Sequence, residues 1–231
     1  MTPRYAIYFA PERGSPWWEF GTRWLGRDEG LGVNRVQHAL ERIGPVELRE
    51  ITARPRRYGF HATLKAPFGL SGGHTVEDLI ARMHALAASL KPVVLGPMQA
   101  ATLRNFVALV PARAPDELMA LASACVTCLD DLRRPMSEAD LARRQVAHLD
   151  AREQWLLHQY GYPHVLERFQ FHLTLSAAVT QPTEQLILQE LVDPLRQLNA
   201  MAPLMLDRLC LFVEPAPGLP FKRIADAGLV G

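Results

Sequence analysis

Cysteine is scarce in this sequence, which has three among its 231 residues: Cys125, Cys128 and Cys210. An odd and sparse set of cysteines argues against a disulfide framework and favours a reducing compartment, so we expect a cytoplasmic protein. Cys125 and Cys128 have the spacing of a redox or zinc pair. They lie, however, within a helical apolar pattern with no second pair nearby, which favours core packing over redox or metal work.

Long apolar runs are missing as well. No stretch of the sequence approaches the ~18 consecutive apolar residues of a membrane-spanning helix, so we expect no membrane association. The chain enters a strand pattern at Arg4 without the apolar segment and cleavage site of a signal peptide. Glycine and proline are scattered along the chain, which gives no sign of a flexible linker between domains.

Neither sign of charge is in clear excess. The 25 Lys and Arg residues against 24 Asp and Glu give a formal net charge of +1, which provides no overall field to attract a long polyanion. This balance fits a small ligand better than duplex nucleic acid. The sequence has neither a Gly-x-x-x-x-Gly-Lys loop nor a Gly-x-Gly-x-x-Gly fingerprint, so it does not support a nucleoside triphosphatase or a dinucleotide enzyme.

One short pattern occurs twice: residues 60–64 and 171–175 both read Phe-His-x-Thr-Leu. Each copy lies in a run of apolar, β-branched and aromatic residues bounded by turn formers, which is typical of a buried strand. Because side chains alternate across a strand, His61 and Thr63 are expected on one face, and His172 and Thr174 stand in the same relation. Each copy therefore presents an imidazole beside a hydroxyl.

A single histidine in an apolar strand is usually structural, but the repeat is harder to explain by packing. Burying a titratable ring and a hydroxyl costs free energy unless both are paired, and packing does not require them at the same register twice. Two imidazoles can hold opposite protonation states near neutral pH, and threonine hydroxyls can donate to oxygens that gain charge. We therefore predict His61, His172, Thr63 and Thr174 as catalytic residues.

The paired His-x-Thr motifs resemble those of the 2H phosphoesterase superfamily. The strings at residues 58–68 and from 161–163 through 171–175 look like the branch found with phosphonate-degradation (carbon-phosphorus lyase) genes, and the resemblance covers nearly the whole chain. It implies a phosphodiesterase that hydrolyses a cyclic ribose phosphate or a nucleoside cyclic phosphate without a cofactor. In that branch a basic residue often precedes the second histidine by two positions, where this chain has Gln170. The charge of the phosphate pocket is thus left open.

Four further residues are candidates for substrate binding. Lys65, Arg57 and Gln170 fall on the catalytic faces if the strands extend that far, although polar residues at strand ends are often ordinary surface residues. Tyr8, in the first predicted strand, completes the set. The partner expected from these residues is a small phosphorylated substrate, with an RNA end as a second possibility.

A metal mechanism is the main chemical rival. The motifs bring two histidines without a neighbouring His, Cys, Asp or Glu, which does not complete the three protein ligands of a typical catalytic zinc site. His148, His158 and His164 are the remaining sources of ligands. We predict no metal. An alternative from another functional class is an RNA-end-binding or interaction module of the same fold with little or no catalysis.

The residue pattern predicts an α+β fold. In chain order it predicts a strand at 4–10, a helix from Ser15 to Leu25, an amphipathic helix at 33–43, an undecided segment at 47–57, a helix from Thr75, a hairpin at 98–110, a helix from Pro115, a helical stretch from Ser137 and Asp140, a helix at 183–198, and strands at 204–206, 209–213 and 220–224. Aromatic residues at helical spacing, Trp17, Phe20 and Trp24, favour a core stripe over a base-stacking surface.

The order of elements after the first motif recurs after the second, which suggests a duplication. The repeats span about 57–110 and 167–214, with a helical insertion at about 115–161. We expect one bilobal domain over residues 1–231, made of two pseudo-symmetric αβ lobes. Each lobe would have a mainly antiparallel sheet with helices on the outside, and the two would form one central cleft. The oligomeric state stays open.

Overall fold

The computed structural model describes residues 2–137, 141 and 148–231. The α-helices are α1 (Pro16–Leu25), α2 (Pro45–Ile51), α3 (Ala53–Arg56), α4 (Val76–Ala88), α5 (Asp116–Thr127), α6 (Ala151–Tyr160) and α7 (Gln181–Met201), with a 3-10 helix at Leu166–Arg168. The strands are β1 (Arg4–Phe9), β2 (Arg27–Asp28), β3 (Val33–Asn34), β4 (Ala62–Phe68), β5 (Val93–Gly96), β6 (Met98–Leu103), β7 (Phe106–Pro111), β8 (Leu173–Thr174), β9 (Leu204–Leu206), β10 (Arg208–Glu214) and β11 (Lys222–Gly228).

The α+β class is confirmed. Every strand pairing among the described residues is antiparallel. The largest sheet has the order β11-β10-β1-β4, a second has the order β6-β7-β8, and two-stranded ribbons join β2 to β3 and β5 to β9. Buried side chains from α1, β4, α4, β7, α5, α7 and β10 pack in one continuous core.

The two larger sheets mix strands from both halves of the chain. Strand β4, which contains part of the first motif, is in the sheet that contains β10 and β11, and these follow the second motif. Strand β8, which belongs to the second motif, pairs with β7 of the hairpin that follows the first. Each motif strand thus shares a sheet with the hairpin from the other half.

Helix α1 forms where the sequence predicts it. The Ser15 side chain accepts a hydrogen bond from the backbone of Trp18, Pro16 occupies the first turn, and Gly26 ends the helix with a left-handed φ of 73°. The stripe of Trp17, Phe20 and Trp24 is buried against the core, as expected from its spacing.

The helix predicted at residues 33–43 is wrong. After the short strand β3, the segment has no regular structure. The backbone nitrogen of Arg35 and the side-chain amide of Gln37 donate to carbonyls at the end of α1, so this stretch is held by distant partners rather than by its own turns. Val36, one of the residues that marked the expected buried face, is 89% exposed. The undecided segment at 47–57 contains α3 and all but the first two residues of α2.

The expected insertion at 115–161 contains α5 and α6. Asp140, where another helical stretch was predicted to begin, lies outside the described residues. Cys125 is fully buried on α5, and burial raises the pKa of its thiol to about 12, which agrees with a packing role; Cys128 is exposed. None of the helices in the described ranges is long and apolar enough to span a membrane.

Candidate active site

Both motif histidines lie directly before a strand rather than inside one. His61 precedes β4 and His172 precedes β8. In each case the ring nitrogen Nδ1 lies near the carbonyl oxygen two residues earlier, at 2.9 Å from Gly59 and 2.8 Å from Gln170. Because a carbonyl only accepts hydrogen bonds, Nδ1 carries the hydrogen in both neutral rings. Nε2 is therefore the nitrogen with a free lone pair.

The turn before His61 is fixed from behind by buried polar residues. Gly59 has a left-handed φ of 83°, and a Cβ there would lie 2.6 Å from the Cβ of Glu29, so only glycine fits. The Arg27 guanidinium donates to the carbonyls of Arg56 and Arg57 in the same turn. The direction of the His61 ring thus depends on residues that are distant from it in sequence.

Burial controls the protonation of both rings. It lowers the pKa of His61 to about 4, although the hydrogen bond to the Gly59 carbonyl acts in the opposite direction and His172 adds a smaller lowering. Burial also lowers the pKa of His172, against the effect of the Gln170 carbonyl. Both imidazoles are therefore neutral at pH 7 in the free protein.

Residues from both motifs line two adjoining cavities. The first, here the His61 cavity, has a volume of about 550 Å³ and is lined by His61, Thr63 and Thr174 among others. The second, the His172 cavity, has a volume of about 600 Å³ and is lined by His172 and again by Thr63. The residues that the two cavities share are Arg54, Thr63, Ala66, Arg104, Phe106 and Tyr162.

Tyr8 and Gln170 lie where the sequence interpretation put them, beside the motifs. The Tyr8 ring packs against the His61 ring with centroids 4.0 Å apart and lines the same cavity. Burial raises the pKa of Tyr8 well above its usual range, so the phenol stays protonated. Gln170 lines the His172 cavity. Thr63 Oγ1 is 3.4 Å from His61 Nε2, which places a hydroxyl at the nitrogen that would exchange the proton.

Lys65 is not on the catalytic face, which corrects the expectation from strand alternation. The register between β1 and β4 shifts between the Ile7–Lys65 and Tyr8–Thr63 pairs. An advance of one residue along β1 is matched there by two residues along β4. This β-bulge interrupts the alternation of side chains. Lys65 is buried, and its Nζ donates to the Val126 carbonyl and to Asp130 Oδ1, both at 2.9 Å.

Arg57 is likewise directed elsewhere. Its guanidinium forms an ion pair with the buried carboxylate of Glu214 and donates to the Leu219 carbonyl. It also lies over the rings of Tyr58 and Phe221. Arg57 lines neither motif cavity, because the turn that carries it precedes the strand and faces the C-terminal hairpin.

The arginines that do line both cavities, Arg54 and Arg104, were missed from the sequence. Arg54 is on α3, in a segment whose structure the sequence left undecided. Arg104 is at the turn between β6 and β7, where it has a positive φ of 59°. No local pattern marks either residue as a ligand. Tyr58 and Tyr162 also line the His61 cavity. Both lie near the start of a motif string, and this position is the only sequence signal that could have marked them as site residues.

A resident metal site would need several ligands close together. Within residues 2–137, 141 and 148–231, no group of three or more His, Cys, Asp and Glu side chains is arranged to hold an ion. The side chains of the two motifs supply two imidazoles and two hydroxyls. The prediction of a metal-independent site stays a prediction.

Comparison with known proteins gives a family. The sequence model described as "Protein of unknown function (DUF1045)" matches residues 63–222, a span that contains Thr63, His172 and Thr174. This chain belongs to the DUF1045 family. The match covers more than half of the chain, including β10 and all three strands of the β6-β7-β8 sheet.

Two curated relatives of this DUF1045 chain have the name ribose 1,5-bisphosphate phosphokinase PhnN. The one from Janthinobacterium sp. (strain Marseille) is 39% identical over 231 residues, a match that covers 97% of this chain and 51% of the relative. The one from Laribacter hongkongensis (strain HLHK9) is 35% identical over 219 residues, covering 95% and 50%. The DUF1045 chain therefore spans about half the length of these relatives, whose name describes the whole proteins.

Proposed function

We propose that this chain is a metal-independent phosphodiesterase of the 2H phosphoesterase type that hydrolyses a small cyclic phosphate. The observation that carries the proposal is the placement of both His-x-Thr motifs on the walls of two adjoining cavities. Each histidine directs its Nδ1 hydrogen to a backbone carbonyl and keeps Nε2 for chemistry. Such a pair supplies the base and the acid that hydrolysis of a phosphodiester needs.

The two imidazoles have different roles in this proposal. His61, whose pKa burial lowers to about 4, stays neutral and accepts a proton from the attacking water. His172 becomes the imidazolium and protonates the leaving alkoxide on the other side of the phosphorus. The bound phosphodiester favours this state, because a nearby anion raises the pKa of a histidine.

The threonines stabilise the charge that develops on phosphorus. Thr63 and Thr174 line the same cavity as His61, and their hydroxyls donate to the non-bridging oxygens as these gain charge in the transition state. The contact between Thr63 and His61 Nε2 is long, at 3.4 Å. It is easily exchanged for a contact to substrate.

The same reaction accounts for the duplication in the sequence. We infer that the chain is one bilobal domain whose pseudo-symmetric halves place one histidine on each side of a single phosphorus in a central cleft. This is supported by the equal local geometry of the two motifs, each with a histidine before a strand and with Nδ1 bonded two residues back. Each motif is also followed by a helix, α4 or α7, and then by three strands.

A phosphorylated ribose is the substrate that we propose. The relatives named for a kinase of ribose 1,5-bisphosphate contain a second half beyond the region matched here. This chain lacks a Gly-x-x-x-x-Gly-Lys loop, so we assign the kinase activity to that other half. Opening a ribose 1,2-cyclic phosphate at O2 leaves a 1-phosphate, which is one of the two phosphate groups in the name ribose 1,5-bisphosphate. Resemblance to the phosphonate-linked branch supports a role for this step in phosphonate catabolism.

The test is hydrolysis of ribose 1,2-cyclic phosphate and of a nucleoside 2′,3′-cyclic phosphate after exhaustive chelation. We expect turnover of the ribose compound to a 1-phosphate, and phosphorus NMR identifies the ester that remains. His61→Asn and His172→Asn should both be inactive. Loss of turnover on chelation with recovery on adding zinc or manganese would replace the acid-base scheme with metal-activated water. Binding of cyclic-ended RNA without turnover would favour an RNA-end-binding module instead.

A further inference from the structure

Arg54 and Arg104 both lie at the boundary between the His61 and His172 cavities. Both residues line both cavities. Arg54 projects from the short helix α3, and Arg104 occupies the turn of the β6–β7 hairpin. The left-handed backbone of Arg104, with φ 59°, is uncommon for a residue with a side chain and is often found at functional sites.

Neither guanidinium is neutralised by a residue that the structure describes. Arg54 and Arg104 have no side-chain hydrogen bond and no ion pair with any residue in the ranges that the structure describes. The other arginines that line these cavities are paired: Arg4 lies 2.5 Å from Glu214, and Arg168 lies 2.7 Å from Asp150. Arg54 and Arg104 therefore differ from Arg4 and Arg168, whose charges are balanced by carboxylates.

The charge of the site exceeds what the scissile group needs. Among the residues that the structure describes, no carboxylate lines the His61 cavity. The one acidic residue among the described walls of the His172 cavity is Glu153, which lies 3.5 Å from His164. A cyclic phosphodiester has a single negative charge, and the proposed reaction already provides one imidazolium and two hydroxyl donors for it. Arg54 and Arg104 add two positive charges that this group does not balance.

We propose that Arg54 and Arg104 form a second anion subsite, which holds a phosphate monoester carried by the same substrate molecule. This rests on the proposed function and names its substrate class: a ribose cyclic phosphate with a further phosphate on O5. A phosphate monoester at pH 7 has a charge between −1 and −2, which matches two guanidinium groups. Arginine suits this task because its planar fork donates two hydrogen bonds to one phosphate.

An RNA end also has a second anion, because its next phosphodiester is negatively charged like the O5 phosphate. The dimensions of the site nevertheless favour a small substrate. Cavities of about 550 and 600 Å³ are within the usual range for small-molecule sites. The net charge of +1 gives little attraction for the remaining phosphates of a polynucleotide. A dinucleotide that ends in a 2′,3′-cyclic phosphate is the probe for the RNA case.

The experiment measures kcat/KM for ribose 1,2-cyclic phosphate with and without the O5 phosphate, in wild type and in the variants Arg54→Gln and Arg104→Gln. We expect wild type to prefer the doubly phosphorylated substrate. Each variant should lower kcat/KM for that substrate by about 10- to 100-fold, as expected for a lost charge-assisted hydrogen bond. The substrate without the O5 phosphate should be nearly unaffected.

Arg134→Gln is the matched control. Arg134 also lacks an ion pair among the described residues, but its guanidinium lies near Gly69 and lines neither motif cavity. It should leave kcat/KM for both substrates unchanged. The inference is overturned if Arg54→Gln and Arg104→Gln lower both substrates equally, if wild type shows no preference for the O5 phosphate, or if the dinucleotide is the better substrate.

A binding measurement separates this inference from the proposed function. If wild type hydrolyses none of these substrates, the phosphodiesterase proposal fails while the subsite is still tested by calorimetry with ribose 5-phosphate. Affinity that falls in Arg54→Gln and Arg104→Gln but not in Arg134→Gln supports the subsite. Equal affinity in all four proteins, or no binding to any of them, overturns it.

Discussion

His61 and His172 act as a unit in the proposed reaction, because attack by water and departure of the alkoxide each need a proton transfer. Replacing either residue by alanine should lower kcat by roughly 10² to 10⁴, and the double variant should be scarcely slower than either single one. Steady-state kinetics on the best cyclic substrate, with circular dichroism to confirm folding, provides the measurement. Near-full activity in His61→Ala with loss in His172→Ala would contradict the paired mechanism.

The pH dependence of kcat/KM should be bell-shaped, because the base has to be neutral and the acid protonated. Burial lowers the pKa of both histidines in the free protein. The active fraction should therefore be highest on the acid side of neutrality. The loss of rate above the optimum should come from deprotonation of His172. A profile that keeps rising from pH 6 to pH 9 would argue against an imidazolium acid.

Stability should also respond to His61. Its pKa in the folded protein is about 4, below the usual ~6.5, so the unfolded chain binds a proton between these pH values that the folded chain does not. The contribution of this difference to the free energy of unfolding is fully present above about pH 6.5. It is lost as the pH falls towards 4, which lowers the free energy of unfolding by up to about 3 kcal/mol. Urea unfolding at several pH values should show a shallower acid dependence in His61→Gln than in wild type.

Substitution of Lys65 distinguishes a structural role of this residue from a role in substrate binding. Lys65→Met keeps the volume of the side chain and leaves Asp130 paired with Arg133, so it should change the free energy of unfolding by less than about 2 kcal/mol and leave KM unaltered. Asp130→Ala leaves a buried ammonium without its carboxylate and should cost about 3 kcal/mol. A large rise in KM for Lys65→Met would return Lys65 to the substrate site.

The sequence draws attention to the motif residues but not to the cations beside them, for a physical reason. A repeated His-x-Thr carries its own signal, because both members are costly to bury without a purpose. Arg54 and Arg104 carry none, since surface arginines are common and their nearness to the motifs depends on how α3 and the β6–β7 turn pack. Arg57 and Lys65 were closer in sequence, yet both are held by carboxylate partners, Glu214 and Asp130.

At the scale of the secondary-structure elements, β4 shows where the alternation of side chains along a strand fails as a guide. Alternation correctly placed Thr63 beside His61, but the bulge before Lys65 shifts the register of the pairing with β1. A bulge depends on the partner strand, so the sequence of β4 alone does not reveal it. The segment at 33–43 failed similarly: its apolar spacing was helical, but its hydrogen bonds go to the end of α1.

The turn before β4 should be sensitive to substitution. Gly59→Ala combines a left-handed backbone with a Cβ that would lie 2.6 Å from Glu29, so we expect a loss of about 2 to 4 kcal/mol in stability together with a loss of activity as His61 is displaced. Gly72→Ala is the control, because a Cβ there meets no atom within 4 Å. Thermal unfolding of the two variants gives the comparison. Equal stability would mean that the turn adapts.

At the scale of the whole molecule, the sequence suggests a repeat but does not show how the two halves of the chain pair. The recurrence of strand, helix and further strands along the chain predicts repeated units. Pairing is decided by which edges meet, and here β4 shares a sheet with β10 and β11 while β8 pairs with β7. The α+β class followed from the element pattern, whereas this exchange depends on contacts between residues far apart in sequence.

Because each of the two larger sheets contains strands from both halves of the chain, two fragments of the chain should complement each other in trans. A cut in the connection between β7 and α5 would leave β8 without β7 and β4 without the strands beyond β1. Neither fragment should be well folded alone, and mixing them should restore activity at a rate that depends on the concentration of both. Reconstitution would then be a bimolecular reaction, and each restored site would hold one histidine from each fragment.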